Sequence, residues 1–136
     1  MAGVIYVDSS ALVKRYVHEH LSDLADSLLL ADPEWVTAEH TFVEVSLALA
    51  RRLDERAIDR ALPFLDADWQ RTAIVAIDHD LSRAAVRIGR QTGTRALDAL
   101  HLAAAERVAG RNVSIVTFDQ RLAQTARAIG FGVLGA

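Results

Sequence analysis

Short, almost continuously apolar runs recur along this chain, each separated from the next by stretches with helical periodicity. That alternation limits the fold more than any other feature. Five runs read as strands: VIYV (4–7), WVTA (35–38), TAIVAI (72–77), VSIV (113–116) and a short FGVL (131–134). None alternates strictly between apolar and polar residues, as a half-exposed strand would, so they suit parallel strands covered on both faces. Between them, apolar residues at i, i+3, i+4 and i+7 mark helices. Leu21, Leu24, Ala25 and Leu28 form one stripe; Ile58, Ala61, Leu62 and Leu65 form a second; Leu81, Ala84, Ala85 and Ile88 form a third. Glycines stand where helices should end: Gly89 and Gly93 after the third stripe, Gly110 after AAAERVA, and Gly130 before the last strand. The expectation is a three-layer α/β/α sandwich around a parallel sheet with right-handed crossovers. Ligands of such sheets bind beyond the carboxyl ends of the strands, where the strand order reverses.

The chain has 136 residues, which suits one domain spanning 1–136 that buries roughly 68% of its unfolded surface. It contains no cysteine, which excludes a disulfide framework, a thiolate nucleophile and a cysteine-type zinc site, and accords with a cytoplasmic protein. No basic segment followed by a long apolar stretch opens the chain, and no run approaches the ~18 apolar residues of a membrane span, so neither export nor membrane insertion is expected. The net charge of −3 gives no global basic footprint for nucleic acid. Lys14 is the only lysine among 15 basic residues. Arg51, Arg52, Arg83, Arg87, Arg90 and Arg95 suit contact with a phosphate backbone, and equally suit the solvated faces of amphipathic helices.

Four acids stand in apolar surroundings. Asp8 ends the run GVIYVDSSAL, Glu44 interrupts FVEVSLALA, Asp98 lies within RALDALHLAAA, and Asp119 closes SIVTFDQRL. Asp8 and Asp119 each precede a helical segment and also fit as helix N-caps. Glu44 is flanked by Phe42, Val43, Val45, Leu47 and Leu49, and Asp98 by Leu97, Ala99, Leu100, Leu102 and Ala103, settings that disfavour a fully solvated carboxylate. An ionised carboxylate near a core costs several kcal/mol unless something compensates it. Four of them at strand ends and early helical turns point to one shared compensator, a divalent cation. Oxygen-only ligands favour Mg²⁺ or Mn²⁺ over zinc, and one or two such ions can hold a phosphodiester and promote attack by water. The hydroxyls of Ser9 and Thr117 suit orientation of waters or phosphate oxygens, or local helix and turn bonds. His101, three residues after Asp98, reads either as a supporting partner on that helical face or as a satisfied packing histidine. There is no HExxH pair, no GxGxxG and no Walker lysine motif.

Taken in order, these residues resemble the PIN-domain ribonucleases, and in particular the VapC-type toxins of bacterial toxin–antitoxin pairs. VIYVDSSALVKRY resembles the family's opening strand, first aspartate and helix; TFVEVSLAL its second motif; RALDALHLAAA its third; VTFDQRLAQTARAIG its fourth. The resemblance spans nearly the whole chain. It implies a five-stranded parallel sheet in the order 3-2-1-4-5 and Mg²⁺- or Mn²⁺-dependent endonucleolytic cleavage of RNA. It further implies a small antitoxin covering the acidic cleft, and a homodimer. It makes Asp8, Asp98 and Asp119 the main metal ligands, with Glu44 bound through water or orienting the nucleophile as base. A further acid found beyond the fourth motif in some members has no counterpart, because Gln120, Arg121 and Leu122 follow Asp119. A catalytically silent PIN scaffold that binds RNA or a partner protein is the alternative. A receiver-type phosphoacceptor is disfavoured because no lysine follows a late strand, and a HAD-like phosphatase because Asp8 precedes Ser9-Ser10 instead of a DxD pair.

Overall fold

The computed structural model describes residues 4–109 and 112–136. β1 (Ile5–Val7) leads into α1 (Ser9–Tyr16) and α2 (Ser22–Leu30). β2 (Trp35–Ala38) is followed by α3 (Thr41–Arg52) and α4 (Glu55–Arg71), and β3 (Ala73–Val75) by α5 (His79–Thr92) and α6 (Ala96–Ala109). β4 (Ser114–Thr117), α7 (Gln120–Ala128) and β5 (Gly132–Gly135) complete the described chain. All strand pairs are parallel and their order is β3-β2-β1-β4-β5, as expected. The chain fills one side of β1 with β2 and β3, then crosses to the other with β4. The switch point therefore lies at the carboxyl ends of β1 and β4.

Side-chain alternation along the central strands divides the interior in two. Tyr6, Val36, Ala38 and Ile115 pack with α5, α6 and α7, through residues such as Leu81, Ile88, Leu102 and Leu122. Ile5, Val7 and Val116 face the opposite way, onto Leu12, Leu29, Val45, Leu49 and Leu65 of α1–α4. Helices thus cover both faces of the sheet. Within α6, Ala99, Leu102, Ala103, Ala104 and Ala105 are all buried, and small residues of this kind let the helix lie close to its neighbours. Among the described residues no helix is long and apolar enough to cross a membrane.

Several local expectations are corrected. Burial on both faces holds for β1, β2 and β4, but β3 and β5 are edges whose residues are largely exposed. β3 covers only the middle of TAIVAI. The stripe over Leu21–Leu28 is out of phase: Leu21 lies before α2 with φ 67°, Leu21 and Leu24 are exposed, and Ser22, Ala25 and Leu29 face inward. Gly89 does not stop α5. It lies inside the helix, where a Cβ would sit 3.9 Å from that of Ala99, and Gly93 in the left-handed region ends it. Gly110 lies outside the described residues.

Asp68, on α4, is a buried acid that the sequence reading passed over. Its carboxylate accepts from Arg15 Nε at 2.6 Å, Tyr16 Oη at 2.6 Å and Arg71 at 2.9 Å, tying α1 to α4. Burial pushes its pKa up, but these donors and the Arg15 charge outweigh that and hold it below the ordinary value of 3.8. A lowered folded pKa stabilises the fold above the unfolded value and ceases to do so as pH falls through the folded one. Asp68→Asn should therefore cost about 2 kcal/mol at pH 7, discounted for the exposure of Arg71. Thermal melts should show that deficit shrinking once pH falls below 3.8.

Candidate active site

All four acids line one cleft of about 310 Å³ at the carboxyl end of the sheet, together with Ser9, Ser10, Arg95, Ala96, Leu97 and His101. The two aspartates that follow strands reach it by similar means. Asp8 leaves β1 and caps α1, its Oδ1 accepting from the Ala11 amide at 3.2 Å and from Ser10 Oγ at 2.8 Å. Its Oδ2 accepts from Thr117 Oγ1, at the end of β4, at 2.8 Å. Asp119, two residues beyond β4, caps α7 by accepting from the Arg121 and Leu122 amides at 2.9 and 3.2 Å. Both therefore serve as N-caps and as members of the acidic cleft.

Asp98 lies in the first turn of α6, where its charge also complements the helix dipole. Glu44 occupies the first turn of α3. Its Oε1 is 2.8 Å from His101 Nε2 and 3.6 Å from His40 Nε2. His101 is buried, and its Nδ1 lies 2.7 Å from the Tyr6 hydroxyl, which in turn accepts the Ala38 amide at 3.1 Å. Both readings of His101 hold together: it is a fully bonded interior histidine, and it anchors a cleft acid. The acid is Glu44 on a neighbouring helix, not Asp98 on its own.

The carboxyls differ in electrostatic setting. Burial drives the Asp8 pKa upward, only partly offset by the His101 charge and the bonds from Ser10, Thr117 and Ala11. Burial also raises that of Asp98, and the charge of Asp119 adds to the rise. For Glu44, burial pushes up, but the His101 hydrogen bond and charge, together with a bond from Ser9, outweigh it and hold the group below its usual range. Burial and the His101 charge depress His40 to about 4, so it is neutral at pH 7. Among the described residues the nearest guanidinium is that of Arg95, on a largely exposed side chain 3.4 Å from Asp98 and 3.9 Å from Asp119. Contacts that long compensate little.

Ser9 lines the cleft as expected. Thr117 does not point into it; the residue is buried and holds Asp8 while accepting the Asp119 amide at 3.1 Å. Ser10, His40, Tyr6 and the placement of Arg95 were missed. His40 was findable, since it stands one helical turn before Glu44, and Ser10 follows Asp8 at the spacing of local side-chain bonds. Tyr6 gives no such signal within a strand.

Comparison with known proteins agrees with this geometry. The profile of the PIN domain matches residues 5–128. Ribonuclease VapC35 of Mycobacterium tuberculosis is 35% identical over 136 residues, covering 96% of each chain. The crystal structure of M. tuberculosis VapC20, a sarcin-ricin loop cleaving toxin, superposes with a TM-score of 0.74 at 20% identity, covering 97% of this chain and 98% of that one. A toxin–antitoxin complex from Klebsiella pneumoniae gives 0.67 at 17% identity, over 86% and 88% of the two chains. With four acids gathered at the switch point of a 3-2-1-4-5 sheet, a profile match over most of its length and a full-length VapC relative, the chain belongs to the PIN domain family, in its VapC group.

Proposed function

We propose that this protein is a metal-dependent endoribonuclease acting as the toxin of a toxin–antitoxin pair in the cytoplasm. The observation that carries the reading is the convergence of Asp8, Glu44, Asp98 and Asp119 on one cleft where, among the described residues, the guanidinium in reach is that of the largely exposed Arg95, 3.4 Å from Asp98 and 3.9 Å from Asp119. Membership of the VapC group supports RNA as the substrate.

The donor set fits a hard cation. Burial raises the Asp8 pKa, and burial with repulsion from Asp119 raises that of Asp98, beyond what the neighbouring charges offset; a divalent ion would supply the further positive charge. Asp8, Asp98 and Asp119 would hold Mg²⁺ or Mn²⁺, as one ion or two, with Glu44 beside them. Such an ion supplies the positive charge that makes a phosphodiester more susceptible to attack and water easier to deprotonate. The protein's own part is positional. Thr117 and Ser10 fix both oxygens of Asp8, and the cap bonds fix Asp119. Glu44, kept ionised by its histidine, is the group suited to take the proton of an attacking water. That water's oxygen joins phosphorus as the bond to the ribose 3′ oxygen breaks, leaving a 5′-phosphate end and a 3′-hydroxyl.

A groove of about 540 Å³ adjoins the cleft, sharing Ser9, Ser10, Glu44 and Leu97 with it and adding Lys14, Arg51 and Arg52. Lys14 and Arg52 already pair with Glu19, which leaves Arg51 the freest cation for an RNA phosphate. The acidic cleft suits the basic segment of a small antitoxin. A homodimer is part of the proposal through the VapC relationship.

Asp98→Asn should abolish Mn²⁺-dependent cleavage of RNA while raising the melting temperature of the metal-free protein, because the repulsion from Asp119 is removed. Unchanged cleavage, read by sequencing RNA 5′ ends after controlled expression, would defeat the nuclease reading. Glu44→Gln should lower kcat by about 10²–10⁴-fold. Arg51→Gln should raise KM, flatten the salt dependence of RNA binding and leave kcat near that of the parent.

A further inference from the structure

The histidines around Glu44 form a donor set of a different chemistry from the acidic cleft. His40 precedes the first residue of α3, so His40 and Glu44 share one face across a single turn, and α6 brings His101 against them. One ligand atom from each of the three lies within 4.8 Å of the others. The two imidazole rings are 4.2 Å apart, tilted by 40°. A tetrahedral zinc-like ion with bonds near 2.0–2.1 Å sets its ligand atoms about 3.3 Å apart. The two separations from Glu44 Oε1, 2.8 Å to His101 and 3.6 Å to His40, bracket that value.

Hydrogen bonding alone leaves this arrangement incomplete. Of the two imidazoles, that of His101 alone is within bonding distance of the Glu44 oxygen on which both converge. His40 Nε2, the nitrogen that faces Glu44, has the Leu97 carbonyl at 3.2 Å, a contact that ligation would replace. The outer shell of a metal site is already built behind His101: the Tyr6 oxygen at 2.7 Å can accept from Nδ1–H, which leaves Nε2 free to ligate.

We propose that His40, Glu44 and His101 bind a borderline transition-metal ion of the Zn²⁺, Co²⁺ or Ni²⁺ class, at a site that shares Glu44 with the acidic cleft but takes none of its aspartates. Two imidazole nitrogens and one oxygen select such ions over Mg²⁺, which prefers oxygen donors. Three protein ligands leave a fourth position for water or an anion. Occupancy engages Glu44, and if Glu44 serves the cleavage proposed above, the ion inhibits the enzyme. That consequence rests on the nuclease reading; binding itself does not.

Co²⁺ is the probe, because its tetrahedral complexes absorb visible light. Titrated into the whole protein under millimolar Mg²⁺, it should produce a visible band saturating at one equivalent. The band should survive Asp98→Asn, disappear in His40→Ala and Glu44→Gln, and be displaced by Zn²⁺. In the parent protein micromolar Zn²⁺ should inhibit Mn²⁺-dependent cleavage, and whatever cleavage His40→Ala retains should be insensitive to that inhibition. Unfolding curves of each variant separate loss of ligands from loss of fold. Absence of the band in the folded parent protein overturns the proposal, as does a band that persists in folded His40→Ala or vanishes in Asp98→Asn. If the band behaves as expected but no RNA is cut, the metal site stands and the nuclease reading fails.

Discussion

One hydrogen-bonded carboxylate joins the two halves of this protein. Asp8, 3% exposed, is held through one oxygen by Thr117 at the end of β4 and through the other by Ser10 and the first turn of α1. Those bonds lock the ends of the two central strands together at the point where the chain reverses its direction of travel across the sheet. They also tie Asp119 into the same place, since Thr117 accepts its amide. The cleft is therefore a product of sheet topology: strand ends bring two acids, and the first turns of α3 and α6 bring the others.

Burial alone does not mark such a cleft. Asp68 is as buried as Asp8, yet two arginines and a tyrosine surround it and its pKa falls. Asp8 receives only hydroxyl and amide donors, with no close cation, and its pKa rises. Asp68 behaves as a structural tie between α1 and α4, whose charge is balanced within the chain. Asp8 and Asp98 carry a charge that the chain balances only in part, at a cost to stability that a bound cation would relieve. The sign of the shift separates the two kinds of acid where exposure does not. Glu44 is a third case, an acid held ionised chiefly by His101 rather than by arginine.

Much of the architecture was legible because apolar patterning is a local property. The runs VIYV and VSIV became the central strands β1 and β4, and Leu81, Ala85 and Ile88 became the inward face of α5. The failures came where a neighbour decides the outcome. TAIVAI reads as a fully covered strand, but its partner lies on one side only, so β3 is a short edge. Gly89 reads as a stop, yet α6 packs beside it and the helix runs on to Gly93, whose left-handed conformation ends it. Leu21 and Leu24 fit a periodic stripe, but the turn at Leu21 sets a different phase.

The site divides along the same line. That Asp8, Glu44, Asp98 and Asp119 are unusual follows from their apolar surroundings in the chain, and the order of their motifs carries the family resemblance. Alternation of strands and helices likewise determines a parallel sheet with a ligand edge, because periodicity and crossover handedness depend on near neighbours and chain chirality. Which acid meets which partner was decided only by packing. His101 lies three residues from Asp98 in sequence but bonds Glu44, 57 positions away, and Arg95 reaches across to Asp119. Contacts between elements depend on how helices dock across the sheet, and no spacing along the chain encodes that geometry directly.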